Sequence, residues 1–192
     1  MKNNLPNLLI VGAAKSGTTS LHNYLNQHPE IYMCNPKEPH FLINQEIGND
    51  RISNGIKELK DYERLFLQSE DCKYLGESSV MYLMYPEIVI PKIREMLGME
   101  TRIIIMLRNP VERAYSGFHH VKRYNNQEDK SFEMAWEISE ERYFNNPNMT
   151  PASRYKMLGL YYNQVKSFLN AFSNVHIIIY DDYIFQFVKW EI

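Results

Sequence analysis

The sequence predicts an α/β fold of three layers: a central parallel sheet, helices on both of its faces, and a phosphate-binding loop after the first strand. Two observations predict it. Short apolar runs alternate along the chain with amphipathic stretches, and strands separated by helices need crossover connections, which make the sheet parallel. The first run, Leu8-Leu9-Ile10-Val11, passes straight into the small-residue loop Gly12-Ala13-Ala14-Lys15-Ser16-Gly17-Thr18-Thr19-Ser20 and then into a helix.

Each element has its own signal. Leu8 to Val11 is continuously apolar, as a strand buried on both faces should be. Thr18 to Gln27 carries Leu21, Tyr24 and Leu25 on one helical stripe and stops at His28-Pro29. Ile31-Tyr32-Met33 reads as a second strand, Asp61 to Gln68 as a helix, and Lys73 to Gly76 as a weak strand. Pro86 to Leu97 is helical, with Pro91 expected to kink or restart it. Arg102 to Leu107 holds three isoleucines in a row and is the strongest strand signal in the chain. Pro110 to Tyr124 is a helix opened by proline, and Ser131 to Glu141 a helix capped by Ser131. Leu158, Tyr161, Tyr162, Val165, Phe168, Leu169 and Phe172 recur at spacings of three and four, which predicts one helix from Ser153 to Phe172 and an inward-facing tyrosine stripe. Val175 to Tyr180 closes the pattern as a strand. The two isoleucine-rich runs are expected at the centre of the sheet.

The chain has 192 residues, 21 basic and 23 acidic, for a formal charge of −2. That length fits one domain, residues 1–192. At 44% hydrophobic and 23% charged the composition is globular rather than disordered. Near-neutrality removes any general attraction to nucleic acid or anionic lipid, so an anion site must be built locally. Cys34 and Cys72 form neither a metal-type pair nor a disulfide framework, and read as two reduced thiols. Met1 to Pro6 does not resemble a signal peptide, and no run approaches the ~20 apolar residues of a membrane span. The expectation is a soluble, cytoplasmic protein.

In open parallel sheets, ligands bind beyond the carboxyl ends of the strands. The loop after the first strand is suited to an anion there. Amides at a helix start are unpaired and the helix dipole adds positive character. Lys15 adds a charge, and Ser16, Thr18 and Thr19 add hydroxyls. The order differs from the nucleoside-triphosphatase loop G-x-x-x-x-G-K-[ST], because Lys15 precedes Gly17 and no Gly-Lys pair follows. Lys15 should therefore reach a different atom. The second loop, Leu107-Arg108-Asn109-Pro110-Val111-Glu112-Arg113-Ala114-Tyr115-Ser116, places an arginine at a strand end and a serine two helical turns later. Both can converge on one phosphate, for which the guanidinium fork is suited.

Together these stretches resemble the sulfotransferases that use 3′-phosphoadenosine 5′-phosphosulfate (PAPS), a family whose fold is similar to the P-loop kinases. Gly12 to Leu21 resembles the family's 5′-phosphosulfate loop, and Arg108 to Ser116 its 3′-phosphate motif. The resemblance implies that Lys15 touches the 5′-phosphate and the bridging oxygen, with Ser16, Gly17, Thr18, Thr19 and Ser20 around it, and that Arg108 and Ser116 hold the 3′-phosphate. It implies PAPS as donor, 3′-phosphoadenosine 5′-phosphate (PAP) as product, and no metal. Transfer to a hydroxyl needs a proton acceptor, and in Asn35-Pro36-Lys37-Glu38-Pro39-His40-Phe41 both Glu38 and His40 are chemically able. This stretch is similar to the Lys-Glu-x-His-Phe segment of the heparan and carbohydrate types, which implies Glu38 as base, Lys37 near the sulfate or 5′-phosphate, and a sugar hydroxyl as acceptor. His40 then packs locally or touches substrate. Gly76-Glu77-Ser78-Ser79 matches a further family segment, with Ser78 where a lysine is frequent. Glu77 and Ser79 either line the site or cap its loop. Tyr180-Asp181-Asp182-Tyr183 resembles a family segment expected to be structural.

The family resembled usually continues beyond that segment, whereas this chain ends at Ile192. Two further readings follow: a nucleotide-binding relative without catalysis, and a kinase-like phosphotransferase, the latter disfavoured by the position of Lys15.

Overall fold

The computed structural model describes residues 5–48, 51–67, 72–124 and 128–188. Its sheet has five parallel strands: β1 (Leu8–Gly12), β2 (Ile31–Met33), β3 (Tyr74–Ser78), β4 (Arg102–Leu107) and β5 (Val175–Ile179), in the order β2-β3-β1-β4-β5. The helices are α1 (Thr18–Leu25), α2 (Leu59–Arg64), α3 (Pro86–Met96), α4 (Pro110–Tyr124), α5 (Phe132–Glu137), α6 (Ser139–Asn145), α7 (Tyr161–Ala171) and α8 (Tyr180–Val188). Gln68, the expected end of α2, lies outside the described residues.

Alternation along β1 feeds two cores, because successive strand side chains point to opposite faces. Leu9 and Val11 join Ile103, Ile105, Val89, Ile93 and Phe168 beneath α3 and α7. Leu8 and Ile10 join Leu21, Met33 and Met106 beneath α1. The continuous apolar run is thus a central strand, paired with β3 on one side and β4 on the other. The expectation that both isoleucine-rich runs are central holds for β4 only. β5 is the last strand of the described sheet, and its residues are half-buried or exposed.

Three other expectations change. The stretch 131–141 is two helices, α5 and α6, separated at Ile138, which leaves helical geometry with ψ near 8°. The Ser139 hydroxyl donates to the Trp136 carbonyl at 3.1 Å, the kind of local bond that competes with a continuous helix. Ser131 does cap α5, accepting from the Met134 N–H. The helix expected from Ser153 begins only at Tyr161. Before it lie two short 3-10 turns, Pro151–Ser153 and Met157–Gly159, and the Tyr155 carbonyl is taken by the Arg113 guanidinium at 2.6 Å instead of by a following turn. The tyrosine stripe splits: Tyr161 is half-buried, while Tyr162 is exposed. Pro91 sits inside α3 without ending it. No described helix is long and apolar enough to cross a membrane.

Candidate functional site

The carboxyl ends of β1 and β4 open into a cavity of about 330 Å³, within the range of small-molecule sites, roughly 300–1,000 Å³. One wall is the loop after β1. Gly17 caps α1 in the left-handed region (φ 86°), and no acidic residue sits in the first turn to compete with an anion. A Cβ at Gly17 would lie 2.9 Å from the Tyr180 ring, so only glycine allows that ring to close over the loop. Lys15, Gly17, Thr18 and Thr19 all line the cavity. Burial lowers the pKa of the Lys15 ammonium, against the opposing pull of the Glu38 carboxylate. Ser16 and Ser20 fall elsewhere: Ser16 is fully buried and Ser20 is exposed in the first turn of α1, and neither lines the cavity.

The opposite wall is α4. Asn109 starts it, its side-chain oxygen accepting from the Val111 N–H at 3.0 Å, with Pro110 at the first helical position. The helical repeat then turns Arg113, Ser116, Gly117 and His120 toward the cavity. Arg108, one residue beyond β4, lies 4.7 Å from the centre of the Tyr180 ring and pairs with Glu112 at 3.1 Å. Glu112 is largely exposed. A pair of this kind contributes at most about 1 kcal/mol, which leaves Arg108 free to exchange it for a ligand phosphate.

The third wall brings Glu38 to the same cavity. Lys15, Glu38 and His40 are the only described non-glycine residues with positive φ (66°, 64° and 51°). Such backbone costs of order 1–3 kcal/mol each and concentrates where function demands it. The Lys37 ammonium donates to Glu38 Oε1 at 2.5 Å, and His40 Nε2 lies 3.0 Å from Glu38 Oε2. Burial pushes the Glu38 carboxyl up, but the His40 hydrogen bond and the Lys37 charge outweigh it and hold the group at about 2. Ser79 fixes this loop from below, accepting the His40 backbone N–H at 3.0 Å, and is itself fully buried. Its place is therefore support rather than lining.

Glu38 also borders a second cavity, of about 510 Å³, lined by Lys37, His40, Arg51, Ser53, Asn54 and Thr150 among others. Glu38, Met81, His120 and Ala152 belong to both cavities and form the seam between them.

Glu77 is not part of this arrangement. It is fully buried on β3 and lines neither cavity. The hydroxyls of Tyr82 and Tyr62 lie near its carboxyl without a well-formed hydrogen bond. Burial raises its pKa from 4.5 to about 7, against the pull of those hydroxyls. A raised carboxyl favours folding while protonated, so the contribution is complete below pH 4.5 and is lost as pH rises through 7. Glu77→Gln, always neutral, should gain on the parent by about 3 kcal/mol between pH 4.5 and 8. Urea unfolding at both pH values measures this, and an equal difference at both would refute it. Ser78, at the position where a lysine is frequent in the family segment, hydrogen-bonds His22 Nδ1 at 2.8 Å.

His120, Tyr180 and Gly117 complete the site without having been expected in it. His120 carried a usable signal, lying one helical turn after Ser116. Tyr180, expected to end the last strand in a merely structural segment, instead begins α8 and lines the cavity, an approach to Gly17 and Arg108 that depends on how α8 packs.

The fold and the paired loops define an α/β protein with a cationic, glycine-lined anion cavity at the carboxyl edge of its sheet. The chain belongs to the sulfotransferase family: the family's domain model, "Sulfotransferase domain", matches residues 5–190. The crystal structure of a sulfotransferase from Alicyclobacillus acidocaldarius superposes with a TM-score of 0.87 at 36% identity, covering 96% of this chain and 76% of that one. The membrane-associated sulfotransferase kil1 of Dictyostelium discoideum is 33% identical over 115 residues, 60% of this chain and 23% of the relative. Human carbohydrate sulfotransferase 15 is 27% identical over 169 residues, covering 69% and 30%. The bifunctional heparan sulfate N-deacetylase/N-sulfotransferase 1 of Caenorhabditis elegans is 34% identical over 120 residues, covering 62% and 13%. The chain thus spans less than a third of the length of these curated relatives.

Proposed function

We propose that this chain transfers a sulfuryl group from PAPS to a hydroxyl, and that the acceptor is a carbohydrate. The observation that carries the reading is the meeting of Lys15 and Glu38, from separate loops, on one cavity that also holds Arg108 and Ser116. The residues fit a nucleotide with two phosphate positions. Lys15, Thr18 and Thr19 lie at the start of α1, and Arg108 before α4 with Ser116 two turns along it, with no Cβ at Gly17 to crowd the ligand.

The donor supplies an activated sulfuryl group. Lys15 stabilises the negative charge that grows on the leaving phosphate, in a partly desolvated setting where such help is strongest. Arg108 and Ser116 hold the 3′-phosphate. Glu38 takes the proton of the attacking hydroxyl: each carboxylate oxygen has one partner, Lys37 or His40, and keeps a lone pair for it. The second cavity, rich in amide, hydroxyl and cationic side chains, suits a polyhydroxylated acceptor. The names of the carbohydrate and heparan sulfate relatives support the same class. A cytoplasmic location belongs to this proposal and is supported by the free thiols Cys34 and Cys72.

Calorimetric titration with PAP tests the reading, followed by transfer of labelled sulfate to sugar acceptors. Arg108→Ala should weaken PAP binding about 10- to 100-fold, as expected for a charged hydrogen-bond partner worth about 1.5–3 kcal/mol. Failure to bind PAP would overturn the proposal, and tighter binding of ATP than of PAP would replace it with a kinase-like chemistry.

A further inference from the structure

Arg113 is the largest fully buried side chain described, on the α4 face that walls the phosphate cavity. Its Nη2 donates to the Tyr155 carbonyl at 2.6 Å, but Nε and Nη1 have no hydrogen-bond partner. None of the ion pairs among the described residues includes it. A Cβ on Gly117 would lie 3.4 Å from Arg113 Nη1 and 4.0 Å from Lys15 Cγ, so the guanidinium and the Lys15 stem flank the same glycine. Beside it the Tyr161 hydroxyl lies against Ser16, and neither makes a well-formed hydrogen bond. A buried, uncompensated charge is unfavourable, and an apolar side chain of the same shape would serve packing better. The charge makes sense only if something negative comes close.

We infer that Arg113 is a positioning residue for the donor: a fixed positive charge set in the cavity wall, which the bound nucleotide's phosphate neutralises. This rests on the PAPS reading above. In the low-dielectric interior the attraction acts without direct contact, and the bond to Tyr155 holds the guanidinium still. The Ser16 and Tyr161 hydroxyls complete a polar layer joining the two phosphate loops from behind.

The test compares Arg113→Met and Arg113→Lys with the parent by thermal unfolding without ligand and by PAP titration. Arg113→Met should unfold close to the parent's temperature, the lost bond to the Tyr155 carbonyl being offset by removal of the unpaired charge, yet bind PAP about tenfold or more weakly, while Arg113→Lys should stay within about threefold of the parent. A purely structural arginine would give the opposite pattern, a less stable Met variant and no rescue by lysine. Arg113→Met binding within about twofold of the parent, equal losses in both variants, or an Arg113→Met chain that does not fold would each overturn the inference. The parent titration keeps the two ideas apart. No PAP binding by the parent sinks the donor reading and this inference with it, whereas parent binding that Arg113→Met leaves intact sinks this inference alone.

Discussion

Lys15→Ala should lower turnover about 100- to 1,000-fold, the usual result of removing one preorganised electrostatic contact to a developing charge. The change keeps the Cβ, so the left-handed backbone at this position (φ 66°) is no more strained in the variant and thermal stability should hardly move. PAP binding should weaken less than turnover, because the charge on the leaving phosphate is greatest in the transition state. Steady-state kinetics with saturating PAPS would show this, and a turnover within fivefold of the parent would remove Lys15 from the chemistry. The pH dependence has a definite sign. Burial lowers the Lys15 pKa, so its charge is lost at a lower pH than that of an ordinary lysine, and the alkaline fall in kcat/KM for PAPS, which reports the free enzyme, should begin correspondingly early.

Glu38→Gln should lower turnover about 100- to 10,000-fold, the range for a positioned general base, and leave the PAP dissociation constant within about threefold, since amide and carboxylate share a shape. The carboxyl is held at about 2 by His40 and Lys37 against burial. It is therefore ionised across the whole neutral range, a weak base that is always in its proton-accepting form, and no acid limb between pH 4 and 9 should trace to it. A limb near pH 6 that disappears in Glu38→Gln would contradict this. The depressed pKa also means that Glu38 stabilises the folded chain above pH 4.5 and ceases to do so as pH falls toward 2. Unfolding of the Gln variant should consequently be less sensitive to acid than that of the parent.

Much of this was legible in the residues. β1 and β4 announce themselves as unbroken aliphatic runs, and α4 as an Asn-Pro start followed by helix formers. Lys15, Arg108 and Ser116 are readable because strand-end loops and helix starts are where anions can be held. Glu38 needed more: the local residues left Glu38 and His40 both able, and only the likeness to a family segment chose between them. What was illegible depended on distant partners. The Tyr155 carbonyl is claimed by Arg113, 42 positions away in sequence, so the periodic stretch from Ser153 does not become one helix. The break at Ile138 comes with a serine hydroxyl bonded to the Trp136 carbonyl, a local contact that periodicity does not encode. The edge position of β5 is a matter of strand order, which hydrophobic periodicity does not encode. Arg113 itself looks in sequence like any surface arginine on a helix.

The seam formed by Glu38, Met81, His120 and Ala152 has a consequence for how such a chain diversifies. One compartment is walled by strand ends and helix starts that the whole sheet depends on. The other is bordered in part by the segments around Arg51 to Asn54 and Asn148 to Ala152, mostly loops and a short turn. On the function proposed above, mutation can therefore rework the acceptor side without disturbing the donor side. A descendant would then change its acceptor while keeping the same donor, the same leaving group and the same carboxylate at the shared seam.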